Sequence, residues 1–309
     1  MELRFISNHD IDPIKWDQCI ATSANRLIYA DYIYLQHMAP KWEALIWGDY
    51  EAVMPVACNK KWGIRYAYQP AFLQQTGIFT AQPITNEMAV SFMLKLIGKY
   101  PFIEIHLPAH LQQISLPYCR FYPRNNYVLP LYANYEAISA SYSSNLRQRV
   151  NKSLRNGLQY EHLHDPAAAI CIYYELNKKK IGGFSERDYE HFTKLCIHYF
   201  AAGSVMIRGV REKSSGQLLA CVLLLKDEKR IYNMASSLYP EGKKLLANYF
   251  LYDRLIEECS GKDLLFDFEG SDVPGIANFY NRFPVELEKY CLFRHNDLPL
   301  PLRWLKPRV

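Results

Sequence analysis

The chain lacks the residue spacings that metal and redox chemistry require. Its eight cysteines, Cys19, Cys58, Cys119, Cys171, Cys196, Cys221, Cys259 and Cys291, form no C-x-x-C pair, and none pairs with a nearby histidine at ligand spacing. That argues against a zinc site and a disulfide framework and fits a reducing compartment, so a cytoplasmic protein without a metal is expected. The nine histidines show no H-E-x-x-H, and no G-x-S-x-G elbow occurs, which weakens hydrolase and metal readings. Long apolar runs are missing as well. The longest, LLACVLLL at Leu218–Leu225, suits a buried strand and falls far short of the roughly 20 residues of a membrane span. The opening MELRFISNHDIDPIKW carries Glu2, Asp10 and Asp12 and no apolar signal core, so no export signal is expected.

What is present is enough for a folded protein. Of 309 residues half are apolar and 22% are charged, which allows one large domain or two of ordinary size, each with a real core. The net charge of +5 is uneven: NLRQRVNKSLR, residues 145–155, holds four cations and no acid, and NKKKIGG follows at Asn177. Such patches suit phosphates, nucleotides, tRNA or a lipid surface, or they are solvated helix faces.

The two halves read alike. In the first, KWEALIWGDYEAVMPVACNK is a hairpin about Gly48–Asp49, IRYAYQP a strand, NEMAVSFMLKLIGKY a helix and PFIEIHLP a closing strand. In the second, SVMIRGV and QLLACVLLL flank REKSSG, KRIYNMASS continues the meander, GKKLLANYFLYDRLIEEC is a helix and LLFDF a strand. A duplicated α+β unit accounts for this order. The boundary is placed at residue 140, giving domains 1–140 and 141–309, with the last ~15 residues packing back on the first. Ser143, Ser144 or Asn145 caps the helix that opens the second domain; Leu146, Val150 and Leu154 share its apolar face and Gly157 ends it. Arg147, Asn151 and Arg155 form a separate polar stripe.

The stretch FDFEGSDVPGIANFYNRF, Phe266–Phe283, concentrates polar chemistry at one strand-to-helix corner. Alternation sends Leu264, Phe266 and Phe268 one way and Leu265, Asp267 and Glu269 the other, which sets the two carboxylates roughly 6–7 Å apart at the carboxyl end of a strand. A buried acid there can have a raised pKa and serve as a general base; alternatively, the pair answers an Arg or Lys on the next strand. Ser271 or Asp272 can cap the coming helix, with Pro274 in its first turn, and the free amides offer an anion site. Ile276, Phe279, Tyr280 and Phe283 fall on one amphipathic face, so Tyr280 is either a proton donor or a core residue with a satisfied hydroxyl. In the first half, Gln69, Gln74 and Gln75 lie in the Pro- and Gly-bounded loop QPAFLQQTG and either grip an acceptor or bond to the loop itself.

The succession RIYNMASSLYPEGKKLLANYFLYDRLIEECSGKDLLFDFEGSDVPGIANFYNRF resembles the closing half of Fem-type (FemAB/FemX-like) transferases. These form the two-domain branch of the Gcn5-related N-acyltransferase (GNAT) superfamily, and YSSNLRQRVNKSLRNGL and YQPAFLQQTGIF resemble further parts of that pattern. The resemblance implies an α+β fold of two tandem GNAT-like domains, each a mixed, mostly antiparallel sheet flanked by helices. It implies transfer of an acyl or aminoacyl group onto an amine of a cell-envelope or small-molecule acceptor held between the domains. The donor would be acyl-CoA or aminoacyl-tRNA, a co-substrate and not a tightly bound cofactor, with tRNA a partner in the second case. Glu269 or Asp267 would accept the ammonium proton and Tyr280 protonate the leaving group. Asn233, Ser236 and Ser237, with neighbouring amides, would stabilise the oxyanion, while Arg147, Ser271 and the three glutamines would contact substrate. The chain departs from the pattern twice. Phe279–Tyr280 stands where many relatives carry Phe-Lys, and the R/Q-x-x-G-x-G/A pyrophosphate loop is absent, leaving Gly242 as the single glycine of SLYPEGKKLLAN. The alternative is a non-catalytic protein on the same scaffold that binds a glycan, nucleotide or RNA.

Overall fold

A computed structural model describes residues 2–114, 116–178, 183–270, 274–300 and 302–305. It divides into unit 1, Met1–Arg124 with Lys289–Val309, and unit 2, Asn125–Glu288. Unit 1 runs β1 (Leu3–Ser7), α1 (Pro13–Thr22), α2 (Tyr32–Met38), β2 (Trp42–Trp47), β3 (Ala52–Lys61), β4 (Ile64–Tyr68), β5 (Phe79–Thr80), α3 (Asn86–Lys99) and β6 (Phe102–Pro108). The chain crosses into unit 2 within β7 (Cys119–Pro130). There follow α4 (Tyr135–Ala140), α5 (Ser144–Leu154), β8 (Leu158–Leu163), α6 (Pro166–Asn177), α7 (Glu186–Ala201), β9 (Val205–Glu212), β10 (Leu218–Lys226) and β11 (Arg230–Leu238). Unit 2 closes with α8 (Pro240–Lys244), α9 (Ala247–Cys259), β12 (Leu265–Asp267) and α10 (Pro274–Tyr280); the chain returns to unit 1 within β13 (Glu286–Asn296) and ends in α11 (Leu302–Leu305).

Duplication shows in the way each unit makes its one parallel strand pair. In unit 1 the order is β1-β2-β3-β4-β6-β13, with β5 on β3. Every described pair there is antiparallel except β4–β6, where Tyr66 faces Phe102 and Tyr68 faces Glu104. A parallel pair needs a crossover, and α3 supplies it. Thr85 caps this helix by accepting from the Met88 amide, and Ala89, Phe92, Met93 and Leu96 join Ile103, Ile105, Leu107, Cys291 and Phe293 in one core. In unit 2 the order is β7-β12-β11-β10-β9-β8, and β11–β12 is the parallel pair. Its crossover is α8–α9, whose Leu251, Leu255, Ile256 and Cys259 share a core with Val222, Leu224, Phe266 and Phe268. The α+β architecture of two such units is the expected one.

Three local details differ from expectation or extend it. Residue 140 is the end of α4 and lies inside unit 2. Each unit borrows its last strand: β13, late in the chain, pairs with β6, while β7, which follows β6 in sequence, pairs with β12. On α5, Ser143 provides the cap and Leu146 and Val150 are buried, but Leu154 is 47% exposed, because the helix runs out beyond the core at that residue. No described helix is long and apolar enough to cross a membrane.

Candidate active site

The β11–β12 pairing is short. It covers Arg230–Leu265, Ile231–Phe266 and Tyr232–Asp267, after which β11 continues to Leu238 while the other chain turns away at Phe268–Gly270. The turn has strained geometry: Glu269 has φ +65° and Gly270 φ +51°, both left-handed. Gly270 is required there, since a Cβ would come within 2.6 Å of the Asn125 carbonyl oxygen. A non-glycine residue held left-handed costs free energy, and such positions cluster at functional sites.

Asp267 sits at the base of this turn and is 1% exposed. Its Oδ2 accepts from Arg230 Nη1 at 2.6 Å and Asn126 Nδ2 at 3.0 Å, and its Oδ1 accepts from the Glu269 amide at 2.8 Å. Arg230 also donates to both oxygens of Glu288, at 2.8 and 3.0 Å. Its partner is thus an arginine on the neighbouring strand, and both its oxygens take part in holding the corner. Glu269, two residues on, has a different environment. Burial, followed by the Glu288 charge, pushes its carboxyl up to about 8, so it exchanges a proton near neutral pH.

A second network joins β11 to α9 and α10. In β10–β11 the register slips so that Leu223 faces Ala235 and Leu224 faces Asn233, which makes Met234 an extra, bulged residue. The bulge brings Asn233 and Ser236, three apart, onto one side, where Ser236 Oγ donates to Asn233 Oδ1 at 2.8 Å. Asn233 Nδ2 in turn donates to the Tyr252 hydroxyl at 2.8 Å and the Tyr280 hydroxyl at 3.4 Å, and Ser236 Oγ lies 2.6 Å from the Tyr252 oxygen. Tyr280 is 8% exposed and its ring packs 4.7 Å from that of Phe268. Burial first, then Tyr252, Tyr173 and Glu269, raise the Tyr280 phenol well above its ordinary value, so it is a neutral donor. Ser237 lies apart, buried beside its register partner Cys221.

Comparison with known proteins identifies the scaffold. The family described as the acetyltransferase (GNAT) domain matches residues 140–278. The solved structure of FemX superposes with a TM-score of 0.69 at 14% identity, covering 99% of both chains. A tandem GNAT protein from the clavulanic acid biosynthesis pathway gives 0.53 at 11%, covering 96% of this chain and 99% of its own. A conserved protein of unknown function from Bacteroides thetaiotaomicron gives 0.59 at 12%, covering 94% and 99%. No curated protein matches the sequence. The chain therefore has a Fem-like tandem GNAT fold, and the corner lies at the end of the matched region.

The remaining expected site residues are distributed unevenly. Arg147 directs its guanidinium to the Ala140 and Tyr142 carbonyls at 3.0 and 3.3 Å, fastening the end of α4. In unit 1, Gln69 donates to the Leu73 carbonyl at 2.6 Å and accepts from the His106 amide at 2.9 Å, and Gln75 donates to Gln74 Oε1 at 3.0 Å. These bonds secure the loop. A cavity of about 410 Å³ in unit 1, over β4 and β6, is lined by Tyr66, Tyr68, Phe102 and Glu104 among others and by none of the three glutamines. Ser271 and Asp272 lie outside the described residues. On the following helix, which ends at Tyr280, Ile276 is 43% exposed, whereas Phe283, three residues past its end, is 3% exposed. Sequence reasoning missed Tyr252, Arg230 and Glu288. Of these only Arg230 had a signal, as a basic residue opening the strand before the helix.

Proposed function

We propose that the GNAT domain transfers an activated acyl or aminoacyl group onto an amine, with Glu269 as general base and Tyr280 as general acid. The observation that carries this reading is the pairing at one corner of a carboxyl titrating at about 8 with a phenol that stays protonated. The acceptor amine attacks the carbonyl carbon of a thioester or ester, and its surplus proton passes to Glu269. The tetrahedral intermediate collapses by breaking the C–S or C–O bond, and Tyr280 gives its proton to the departing sulfur or oxygen. The backbone N–H groups of β11 beyond Tyr232, at the bulge, supply oxyanion stabilisation. Losing such a donor typically costs about 3–4 kcal/mol of barrier. Asn233, Ser236 and Tyr252 orient the Tyr280 hydroxyl. The donor is acyl-CoA or aminoacyl-tRNA, and the acceptor is an amine of a cell-envelope precursor or a small molecule.

One observation favours a second reading, a non-catalytic binding protein. Tyr280 occupies the place where many Fem-type relatives carry lysine, and its hydroxyl is already bonded to Asn233. Incubating the purified chain with labelled acyl-CoA or aminoacyl-tRNA and a panel of amines separates the two. Transfer that falls about 10²-fold or more in Glu269→Gln supports the enzyme. Silence with both donors, together with ligand binding that survives Glu269→Gln and Tyr280→Phe, supports the binding protein.

A further inference from the structure

Two arginines of unit 2 converge on one tyrosine. The Arg149 guanidinium, on α5, lies 5.4 Å from the centre of the Tyr249 ring, and that of Arg282, just past α10, lies 6.0 Å from it. A single oxygen, Asn145 Oδ1, accepts from both, from Arg149 Nε at 2.9 Å and from Arg282 Nη1 at 3.4 Å. Arg282 Nε donates to the Asn278 carbonyl at 3.3 Å. Tyr249 is 6% exposed and is braced edge-on by Phe279 at 5.2 Å, so the ring is a fixed platform. Each guanidinium is thus held by part of its donor set, and its remaining donors make no hydrogen bond among the described residues.

Among the described residues neither arginine forms an ion pair. The other well-placed arginines of unit 2 differ in this: Arg230 meets Asp267 and Glu288, Arg208 meets Glu258, and Arg254 meets Asp253 and Glu257. Two cations sharing one neutral acceptor over one ring repel each other, and an anion bound between them removes that repulsion. Guanidinium groups bind phosphate oxygens by directed, charge-assisted hydrogen bonds.

The surroundings suit a phosphate of the donor. Asn156 Nδ2 donates to the Leu245 carbonyl at 2.8 Å and so ties the end of α5 to the α8–α9 corner. The glycine of that corner, Gly242, serves packing. A Cβ there would lie 2.3 Å from the Leu219 carbonyl oxygen, so its absence lets α8 approach β10. The platform also connects to the catalytic corner, because Phe279 lies 5.5 Å from the Tyr252 ring and 5.9 Å from the Tyr280 ring.

We propose that Arg149 and Arg282, held over Tyr249 by Asn145, form a clamp for a phosphate group of the acyl donor. The donor assignment rests on the transferase reading, whereas phosphate binding by the pair does not. The clamp binds the phosphates of CoA or those of the 3′ end of an aminoacylated RNA, and a direct measurement separates these sources. Binding of CoA and of a short RNA ending in CCA is measured by calorimetry on the full chain, for wild type, R149Q/R282Q, R149K/R282K and R155Q. Thermal unfolding confirms that each variant is folded. The expected result is a loss of at least tenfold for one ligand in R149Q/R282Q, a smaller loss in R149K/R282K, and less than twofold in R155Q. If RNA is the ligand, the log–log salt slope falls by about 0.7 for each phosphate that the variant no longer neutralises. Wild-type affinity in folded R149Q/R282Q, or no binding of either ligand to wild type at millimolar concentration, overturns the clamp. Arginine-dependent binding without transfer to any amine leaves the clamp standing and removes the transferase reading. Transfer with unchanged kcat/KM in R149Q/R282Q does the reverse.

Discussion

Asp267 and Arg230 meet at 2.6 Å across the parallel β11–β12 pair, with Asp267 1% and Arg230 11% exposed at the side chain. Glu288 shares the same guanidinium at 2.8 Å, and Asn126 bonds to both acids. Removing the cation leaves a buried carboxylate with no opposite charge, held only by Asn126 and the Glu269 amide, so Arg230→Ala should destabilise unit 2 by roughly 3–5 kcal/mol, read from urea unfolding. Asp267→Asn should cost less, because Arg230 keeps Glu288. A loss below about 1 kcal/mol in Arg230→Ala would mean that the triad contributes little to the corner.

Glu269 makes the corner sensitive to pH. A carboxyl moved from its ordinary 4.5 up to about 8 keeps in the folded state a proton that the unfolded chain releases. Stability therefore falls as pH rises between those two values and is greatest below the lower one. Glu269→Gln should flatten that slope in denaturant titrations at pH 5, 6.5 and 8. Catalysis runs the opposite way: a general base must be deprotonated, so kcat/KM should rise with pH and level off above about 8. A profile without an inflection in that region would remove Glu269 as the base.

Tyr252 joins Asn233 and Ser236 at 2.8 and 2.6 Å. Tyr252→Phe keeps the ring packing but takes a partner from two polar groups, one of them buried. The expected cost is about 1–3 kcal/mol in unfolding free energy. If the network orients the Tyr280 hydroxyl, kcat should fall more than KM changes. An equal effect on both would indicate looser packing alone.

The order of strands and helices was legible because strand alternation and helical spacing are local: Phe266 and Phe268 read correctly as core, and Ser143 as a cap. What makes the site is not local. The bulge at Met234 exists only in the pairing with β10, and it alone brings Asn233 to Ser236. Arg230 answers Asp267 because β12 docks beside β11, a pairing the intervening helices hide from sequence. The exchange of β7 and β13 is invisible for the same reason. Arg147 and Arg149 are two residues apart and look equivalent on a helix, yet one fastens α4 and the other lies over Tyr249.

Gly242 gives the sharpest test of the α8–α9 corner. A phosphate-cradling glycine and a packing glycine make different demands, and here the Cβ position lies 2.3 Å from the Leu219 oxygen and 3.1 Å from Leu238 Cδ1. The first of these atoms belongs to the backbone and cannot rotate away, so Gly242→Ala must lift α8 from β10. The expected loss is about 1–3 kcal/mol by thermal or urea unfolding. Gly275 is the control, since a Cβ there meets nothing within 4 Å and the residue lies in α10. Gly275→Ala should be neutral or stabilise by up to about 1 kcal/mol through helix propensity and a less flexible unfolded chain. Donor affinity should follow stability in both variants if Gly242 packs and does not bind. Normal stability with tenfold weaker CoA binding in Gly242→Ala would instead assign the glycine to the ligand.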